Sequence, residues 1–220
     1  MVSYIFLALF IAVSLLHLYD SWRDNHKRRR YTKPLLLILL TLFYCFAAEK
    51  IDWVLVAALL FSWLGDVLLM PSGTKWFVSG GVSFLISHIL FIFVYSPHVV
   101  WQSVTWWIVI PLAAVYVALS VIVTMSVRKN LEKMMLVPMI LYLVANSTMN
   151  LFALMLLTST KTAGAAVAYI GAVSFFASDC TLYLVRYHQN KNLIFKKHFT
   201  VMFTYLLGEA LITAGMLMIQ

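Results

Sequence analysis

The chain has 220 residues, of which 63% are hydrophobic and only 11% carry a charge. This apolar share is far above that of a soluble domain, and the long apolar runs leave no stretch for one. Composition therefore predicts a single transmembrane domain over residues 1–220. The net charge is +8, but no basic module of the kind that binds DNA or RNA is present, so no nucleic-acid partner is expected.

Eight apolar runs follow one another along the chain and predict an all-α, polytopic membrane helix bundle of eight transmembrane helices. Each run is near the roughly 20 residues that a helix needs to cross the hydrocarbon core. The first run has no basic leader and no small-residue cleavage site, so it is expected to be a retained helix. The predicted helices cover residues 2–22, 33–49, 52–70, 76–96, 103–127, 134–158, 162–187 and 198–219.

The longest predicted connector is the charged segment RDNHKRRRYT at 23–32, which is expected to be a solvated loop. With eight crossings, fourteen of the sixteen Lys and Arg residues fall on one side of the membrane, and only Lys50 and Lys161 on the other. Lys and Arg in short loops stay on the cytoplasmic side. This asymmetry predicts that both termini lie on the non-cytoplasmic side, with the basic face beside anionic lipid headgroups.

Two aspartates lie inside predicted membrane helices. Asp66 occurs in VLVAALLFSWLGDVLLM (54–70) and Asp179 in TAGAAVAYIGAVSFFASDCTLYLV (162–185). An ionisable group at membrane depth is costly and is expected to have either a partner or a function. At a rise of about 1.5 Å per residue, Asp66 is expected about one turn, and Asp179 about two turns, from the basic end of its helix.

Three further ionisable groups, Lys33, His88 and Glu209, are expected in the same half of the membrane as the two aspartates. Isolated charges in hydrocarbon tend to pair, so five such groups at compatible depths predict a shared polar chamber that opens toward the cytoplasm. One face of the sixth predicted helix is also polar and is expected to line this chamber. That face carries Tyr142, Asn146 and Asn150.

Simpler explanations exist for each of these groups. Lys33 could extend to the interface from a helix end, His88 could be a satisfied interior histidine, and Glu209 could pair with either of them. The polar face of the sixth helix could hold helices together. The structural explanation is weakest for Asp66 and Asp179, because only Lys33 places a basic group at a matching depth.

Five segments in order along the chain resemble the successive motifs of the YhhN-like lysoplasmalogenase family, whose members are eight-helix membrane proteins. The resemblance spans nearly the whole chain. Each motif is short, but the order and spacing of all five are fairly specific. The segments are Lys33-Pro34, SWLGDVLLM (62–70), FLISHILF (84–91), SFFASDCTLYL (174–184) and TYLLGEALI (204–212).

The resemblance implies hydrolysis of the vinyl ether bond of lysoplasmalogens, which yields a fatty aldehyde and a glycerophospho-base. By motif, the paired acids of the family fall on Asp66 and Asp179, and its lysine and histidine on Lys33 and His88. Two positions depart from the family pattern. Glu209 stands where Gln is usual, which could alter the charge of the site, and Phe91 replaces a frequent Tyr, which removes a hydroxyl.

The two aspartates also suit this chemistry by themselves. A vinyl ether is hydrolysed by protonation of its β-carbon, which creates an oxocarbenium ion that water attacks. Two carboxyl groups in a confined site can divide the acid and base roles, as they do in glycosidases. We expect Asp179 to be the acid because it lies deeper, and Asp66 to be the base, with the reverse assignment left open. The remaining candidates, for binding the substrate or positioning the acids, are Lys33, His88, Tyr142, Asn146, Tyr205 and Glu209.

Three other functions are compatible with the same residues. An ion-coupled transporter would also place acids and a histidine in mid-membrane. A metal-dependent hydrolase could use one histidine and three carboxylates, although these lack local ligand spacing, and no cofactor is expected. A structural role would use the acids to join helices.

The expected partners are a lysophospholipid substrate and membrane lipids, and the short loops favour a bacterial inner membrane over a eukaryotic internal one.

Overall fold

Eight α-helices follow one another in the computed structural model, which describes residues 2–220, and these residues contain no strand. Short 3₁₀ turns occur in the connections on either side of the fifth helix. The helices are α1 (Val2–Trp22), α2 (His26–Ala47), α3 (Trp53–Leu68), α4 (Thr74–Tyr95), α5 (Trp106–Val127), α6 (Leu136–Thr160), α7 (Ala163–Tyr187) and α8 (Lys197–Leu217).

The predicted all-helical class is confirmed. Seven helices within residues 2–220 are long and apolar enough to cross a membrane, whereas α3 is apolar but has only 16 residues. At about 1.5 Å per residue, α3 is shorter than the roughly 30 Å hydrocarbon core of a typical bilayer. The count of eight crossings and the side on which the termini lie remain predictions.

The start of α2 corrects the sequence prediction. The segment 23–32 was expected to be a loop, but α2 begins at His26 and includes most of it. Asn25 caps the helix, because its side-chain oxygen accepts a hydrogen bond from the backbone N–H of Arg28. The other predicted helix ends differ from the observed ones by at most three residues, and the longest segment between α-helices is 96–105.

The basic first turns of α2 pack against α1. The hydroxyl of buried Thr32 lies 2.7 Å from Nδ1 of His17, which is also buried. Because the basic segment is helical, Arg29 and Lys33 are one turn apart and lie on the same face. Apolar periodicity could not reveal this extension, since most of its residues are basic and three of them, His26, Arg29 and Arg30, line a cavity.

Helices α7 and α8 form the most extensive contact between two helices in the bundle. Glycines allow this close approach, because a Cβ atom on Gly171 would lie 2.6 Å from the backbone nitrogen of Ile212. A Cβ on Gly208 would lie 2.9 Å from the backbone nitrogen of Phe175. Small residues at such an interface let helix backbones pack in the absence of a hydrophobic driving force.

The bundle has an apolar exterior, and its largely apolar core also contains ionisable and polar side chains. Charged and amide side chains, including those of Asp66, His88 and Glu209, are buried between the helices. An apolar outer surface with ionisable groups turned toward the bundle interior is typical of a helical bundle in lipid. Large apolar side chains that are exposed on the outer surface include Ile110, Val117, Ile122, Leu141 and Ile170.

Candidate functional site

Asp179 on α7 is held by side chains from two other helices. Its Oδ2 accepts hydrogen bonds from the hydroxyl of Tyr142, at 2.7 Å, and from Nδ2 of Asn146, at 2.6 Å. Nε2 of His88 on α4 lies 3.1 Å from the same oxygen. Tyr142 and Asn146 are one turn apart on α6, so a single face of that helix supplies two of the three contacts. All three end on Oδ2, which leaves Oδ1 of Asp179 for a ligand.

A further chain of hydrogen bonds orients the amide of Asn146. Asn150 donates from Nδ2 to the side-chain oxygen of Asn146, at 3.0 Å, and the hydroxyl of Tyr116 on α5 donates to the side-chain oxygen of Asn150, at 3.2 Å. With its oxygen engaged in this way, the amide of Asn146 turns its NH₂ group toward Asp179. The polar face of α6 thus faces the site, as expected, and Asn150 acts one step away from it.

His88 occupies a fully buried position beside Asp179. Its Nε2 lies 3.2 Å from the hydroxyl of Tyr142, and its ring packs edge-on against Phe175 with 4.8 Å between the centroids. Nδ1 of His88 has no hydrogen-bond partner among residues 2–220. The imidazole therefore contacts the site through one nitrogen, which is shared between Tyr142 and Asp179.

Lys33 on α2 forms an ion pair with Asp66 on α3. The lysine Nζ lies 3.0 Å from Oδ1, and the two side chains are 17% and 3% exposed, respectively. The indole nitrogen of Trp63 donates to the backbone carbonyl of Pro34, at 2.8 Å, which joins α2 and α3 beside this pair. Lys33 thus contacts a carboxylate instead of only extending to the interface. Within residues 2–220, the second oxygen of Asp66 has no hydrogen-bond partner.

Three aromatic rings form a cluster beside Asp66. The ring of Phe84 packs edge-on against Phe175 and Tyr205, with centroids 6.2 Å and 5.8 Å apart, and those two rings are 5.3 Å apart. Gly65, next to Asp66, allows this packing, because a Cβ there would lie 2.6 Å from the Phe84 ring. This glycine therefore brings the ring cluster directly against the backbone that carries Asp66.

The ring of Phe175 links the surroundings of the two aspartates, because it packs against His88, which contacts Asp179, and against Tyr205, which lies beside Asp66. The hydroxyl of Tyr205 faces Asp66 and is also within the electrostatic range of Asp179. It makes no hydrogen bond with any group in the described part of the chain. Asp66 and Asp179, which lie on α3 and α7, therefore share one buried environment in which Tyr205 is a neighbour of both.

Glu209 lies deeper in the bundle, fully buried on α8 one turn after Tyr205. The charges of both aspartates act on it, and its carboxyl group faces Ser62. Neither of its oxygens has a hydrogen-bond partner with good geometry among residues 2–220. Glu209 does not pair with Lys33 or His88, which was one simpler explanation, since each of these contacts an aspartate instead.

A cavity of about 400 Å³ opens at the basic end of the bundle and reaches Lys33. Its polar lining is entirely basic or neutral, and Asp66 lies directly behind Lys33. The contribution of α1 was not predicted, and the arginines of the segment 23–32 were expected in a loop instead of in the first turns of α2. The side chains that provide nitrogen atoms to this cavity are His17, His26, Arg29, Arg30, Lys33 and His198.

The structure groups the predicted site residues as two connected clusters. Lys33, Asp66 and Tyr205 lie toward the basic cavity, while the cluster around Asp179 lies toward α6. Tyr116 and Ser62 were not predicted, since isolated hydroxyl groups in apolar runs carry no sequence signal of their own. Among residues 2–220, no three His, Cys, Asp or Glu side chains are grouped so that they could hold a metal ion.

The fold and this site define a class of protein: an all-helical bundle of apolar helices with two buried aspartates, one of which pairs with a lysine that lines a basic cavity. The sequence also matches the YhhN family over residues 28–216, which covers α2 to α8 almost completely. The chain therefore belongs to the YhhN family, and the resemblance indicated by its motifs is confirmed. Comparisons with curated proteins and with solved structures found no match.

Proposed function

We propose that the chain is a membrane hydrolase that cleaves the vinyl ether bond of lysoplasmalogens to a fatty aldehyde and a glycerophospho-base. The observation that carries this proposal is the shared buried environment of Asp66 and Asp179, with one oxygen of each already engaged by protein groups. Family membership supports a hydrolase of this kind. An acid and a base on either side of one bond are what vinyl ether hydrolysis requires.

In the proposed reaction, Asp179 donates a proton from Oδ1 to the β-carbon of the vinyl ether. The resulting oxocarbenium ion is attacked by water, whose proton passes to Oδ2 of Asp66. In the second step, Asp66 returns this proton to the ether oxygen while Asp179 accepts the hydroxyl proton, and the hemiacetal separates into aldehyde and alcohol. Both carboxyl groups end in their starting states. Glycosidases also use a carboxylate pair and an oxocarbenium-like transition state, although their acid protonates the glycosidic oxygen instead of a carbon atom.

The basic cavity suits the phosphate of the substrate. Arg29, Arg30 and Lys33 line it, and arginine and lysine are the side chains that bind phosphate oxygens in proteins. Lys33 would contact both the phosphate and Asp66, which places the glycerol backbone beside the carboxyl pair. The bias of basic residues toward this end of the bundle supports its placement at the cytoplasmic face, by the positive-inside rule.

The remaining residues position the acids. His88, Tyr142 and Asn146 fix Oδ2 of Asp179, so its other oxygen keeps one direction. Tyr205 and Glu209 lie near Asp66 and would hold the attacking water. We assign these five side chains to positioning, and the proton transfers to the two aspartates.

Release of aldehyde from a lysoplasmalogen by the purified protein in detergent tests this function. An aldehyde dehydrogenase converts the product and is followed by NADH absorbance. Asp66→Asn and Asp179→Asn should each remove the activity while the protein remains folded. Asp24→Asn is the matched control, because Asp24 is exposed in the α1–α2 turn with a positive φ that Asn also adopts. Wild-type protein that releases no aldehyde, or aspartate variants that keep full activity, would disprove the proposal.

An ion-coupled carrier is the second candidate, and it is favoured by one observation. Glu209 is fully buried near both aspartates without a hydrogen-bond partner in the described chain, as are proton-relay acids in many transporters. Proteoliposomes distinguish the two functions. A carrier would move lysolipid or protons across a sealed membrane without consuming the vinyl ether, whereas the hydrolase consumes it in detergent, where no gradient exists.

A further inference from the structure

A second opening of the site lies between α4 and α6, away from the basic cavity. It is an apolar groove of about 200 Å³. Two residues of its rim, Val82 and Leu141, are 49% and 56% exposed on the outer surface of the bundle. A Cβ on Gly81 would meet no atom within 4 Å, so the rim of the groove is open at this position. The base of the groove is formed by Phe77, Met139, Tyr142 and Tyr183.

The base of this groove is continuous with the site. Tyr142 lines the groove and also donates its hydroxyl to Oδ2 of Asp179 at 2.7 Å. The ring of Tyr183, one turn after Asp179 on α7, packs edge-on against Tyr142 with 5.8 Å between centroids. One tyrosine side chain therefore separates the lipid-facing surface from the carboxyl group that we assign as the acid.

Size alone does not single out this groove. A larger apolar groove of about 340 Å³ lies between α5 and α6 and is lined by Ala113, Val117 and Val144 among others. None of the candidate site residues lines it. The α4–α6 groove is smaller, but its base reaches Asp179, so continuity with the site distinguishes the two.

The two openings of the site differ in chemistry. The basic cavity reaches Asp66 through Lys33, and the α4–α6 groove reaches Asp179 through Tyr142. A lysophospholipid has the same asymmetry, with an anionic phosphate on one side of its scissile bond and one hydrocarbon chain on the other. We infer that the α4–α6 groove binds the single hydrocarbon chain of a lysophospholipid whose phosphate occupies the basic cavity. This inference rests on the proposed function for the identity of the bond between them.

Filling the groove tests this inference by kinetics. Gly81→Leu places a side chain in open space at the rim, and Ala113→Leu is the matched control in the α5–α6 groove. Gly81→Leu should lower kcat/KM for a long-chain lysoplasmalogen by about tenfold or more, because contacts with several methylenes are lost. Turnover of an analogue with a very short alkenyl chain should change little. Equal loss with both substrates, no loss with either, or the same loss in Ala113→Leu would overturn the inference.

Photolabelling gives a result that does not depend on hydrolysis or on a variant that folds. Wild-type protein is irradiated with a lysophospholipid that carries a diazirine in a saturated chain, and the labelled peptides are identified by mass spectrometry. Label is expected on residues 77–85 and 135–142, and unlabelled lysophospholipid should compete for it. Label spread over the outer surface, or concentrated at 113–125, would refute the groove. If groove labelling occurs without aldehyde release, the proposed function fails and the chain-binding site stands.

Discussion

The ion pair between Lys33 and Asp66 allows a quantitative test of how the site is held together. Removal of one partner of a buried pair costs about 3 to 5 kcal/mol, because the other charge is left buried and unpaired. Asp66 is almost fully buried, whereas the Lys33 side chain is 17% exposed, which reduces the expected cost. We therefore expect Lys33→Met to lower the free energy of unfolding by about 2 to 3 kcal/mol.

A double variant separates the pair from its individual members. Lys33→Met combined with Asp66→Asn leaves no unpaired charge, so its stability should lie within about 1 kcal/mol of the wild type. Unfolding by SDS in mixed micelles is followed by tryptophan fluorescence, and the four proteins of the cycle yield the coupling free energy. Lys50→Met, which alters an exposed lysine at the opposite end, is the control. Additive losses from the two single substitutions would refute the assignment of a stabilising pair.

Three further substitutions test other parts of the structure. Tyr142→Phe removes one donor to Asp179 and should lower kcat/KM by roughly 10- to 100-fold with unchanged circular dichroism, because this hydrogen bond stabilises the carboxylate that forms when Asp179 gives up its proton in the proposed reaction; full activity would contradict its role. Glu209→Gln should retain activity within about tenfold, because the Glu209 side chain contacts neither aspartate directly. Its pH–rate profile should change, since the substitution removes a carboxyl group whose charge acts on both aspartates. Gly171→Ala should lower the midpoint temperature of unfolding, because the added methyl group separates α7 from α8. Gly81→Ala is the control, since a Cβ at this position meets open space. Equal midpoints for the two variants would show that the close contact between α7 and α8 is not required for stability.

The positions of the helices along the chain followed from the sequence because apolar runs of this length are strong signals. Asp66 and Asp179 were found for the same reason, since a single charge stands out in such a run. The four-residue spacing of Tyr142, Asn146 and Asn150 also predicted one common face, and that face does lie toward Asp179.

The pairing between helices could not be predicted in the same way. Chain position sets the depth of a residue, but the rotation of each helix is set by packing against its neighbours. Thus nothing in the sequence indicated that His88 would contact Asp179 while Lys33 contacts Asp66. The helical start of α2 was also missed, because the rule of apolar periodicity does not apply to residues that surround a polar cavity. Arg29 was therefore assigned to a loop instead of to the first turn of α2.

The glycine contact between α7 and α8 has a consequence for motion in the bundle. Backbones that touch directly, as they do at Gly171 and Gly208, cannot slide or rotate past one another without collision, so these two helices behave as one stiff support. That support carries Asp179 and Glu209. By contrast, α4 and α6 meet through side chains alongside the open rim at Gly81. If the α4–α6 groove admits a lipid chain, we therefore expect the helices to part along this open rim, while Asp179 stays in place on the α7–α8 support.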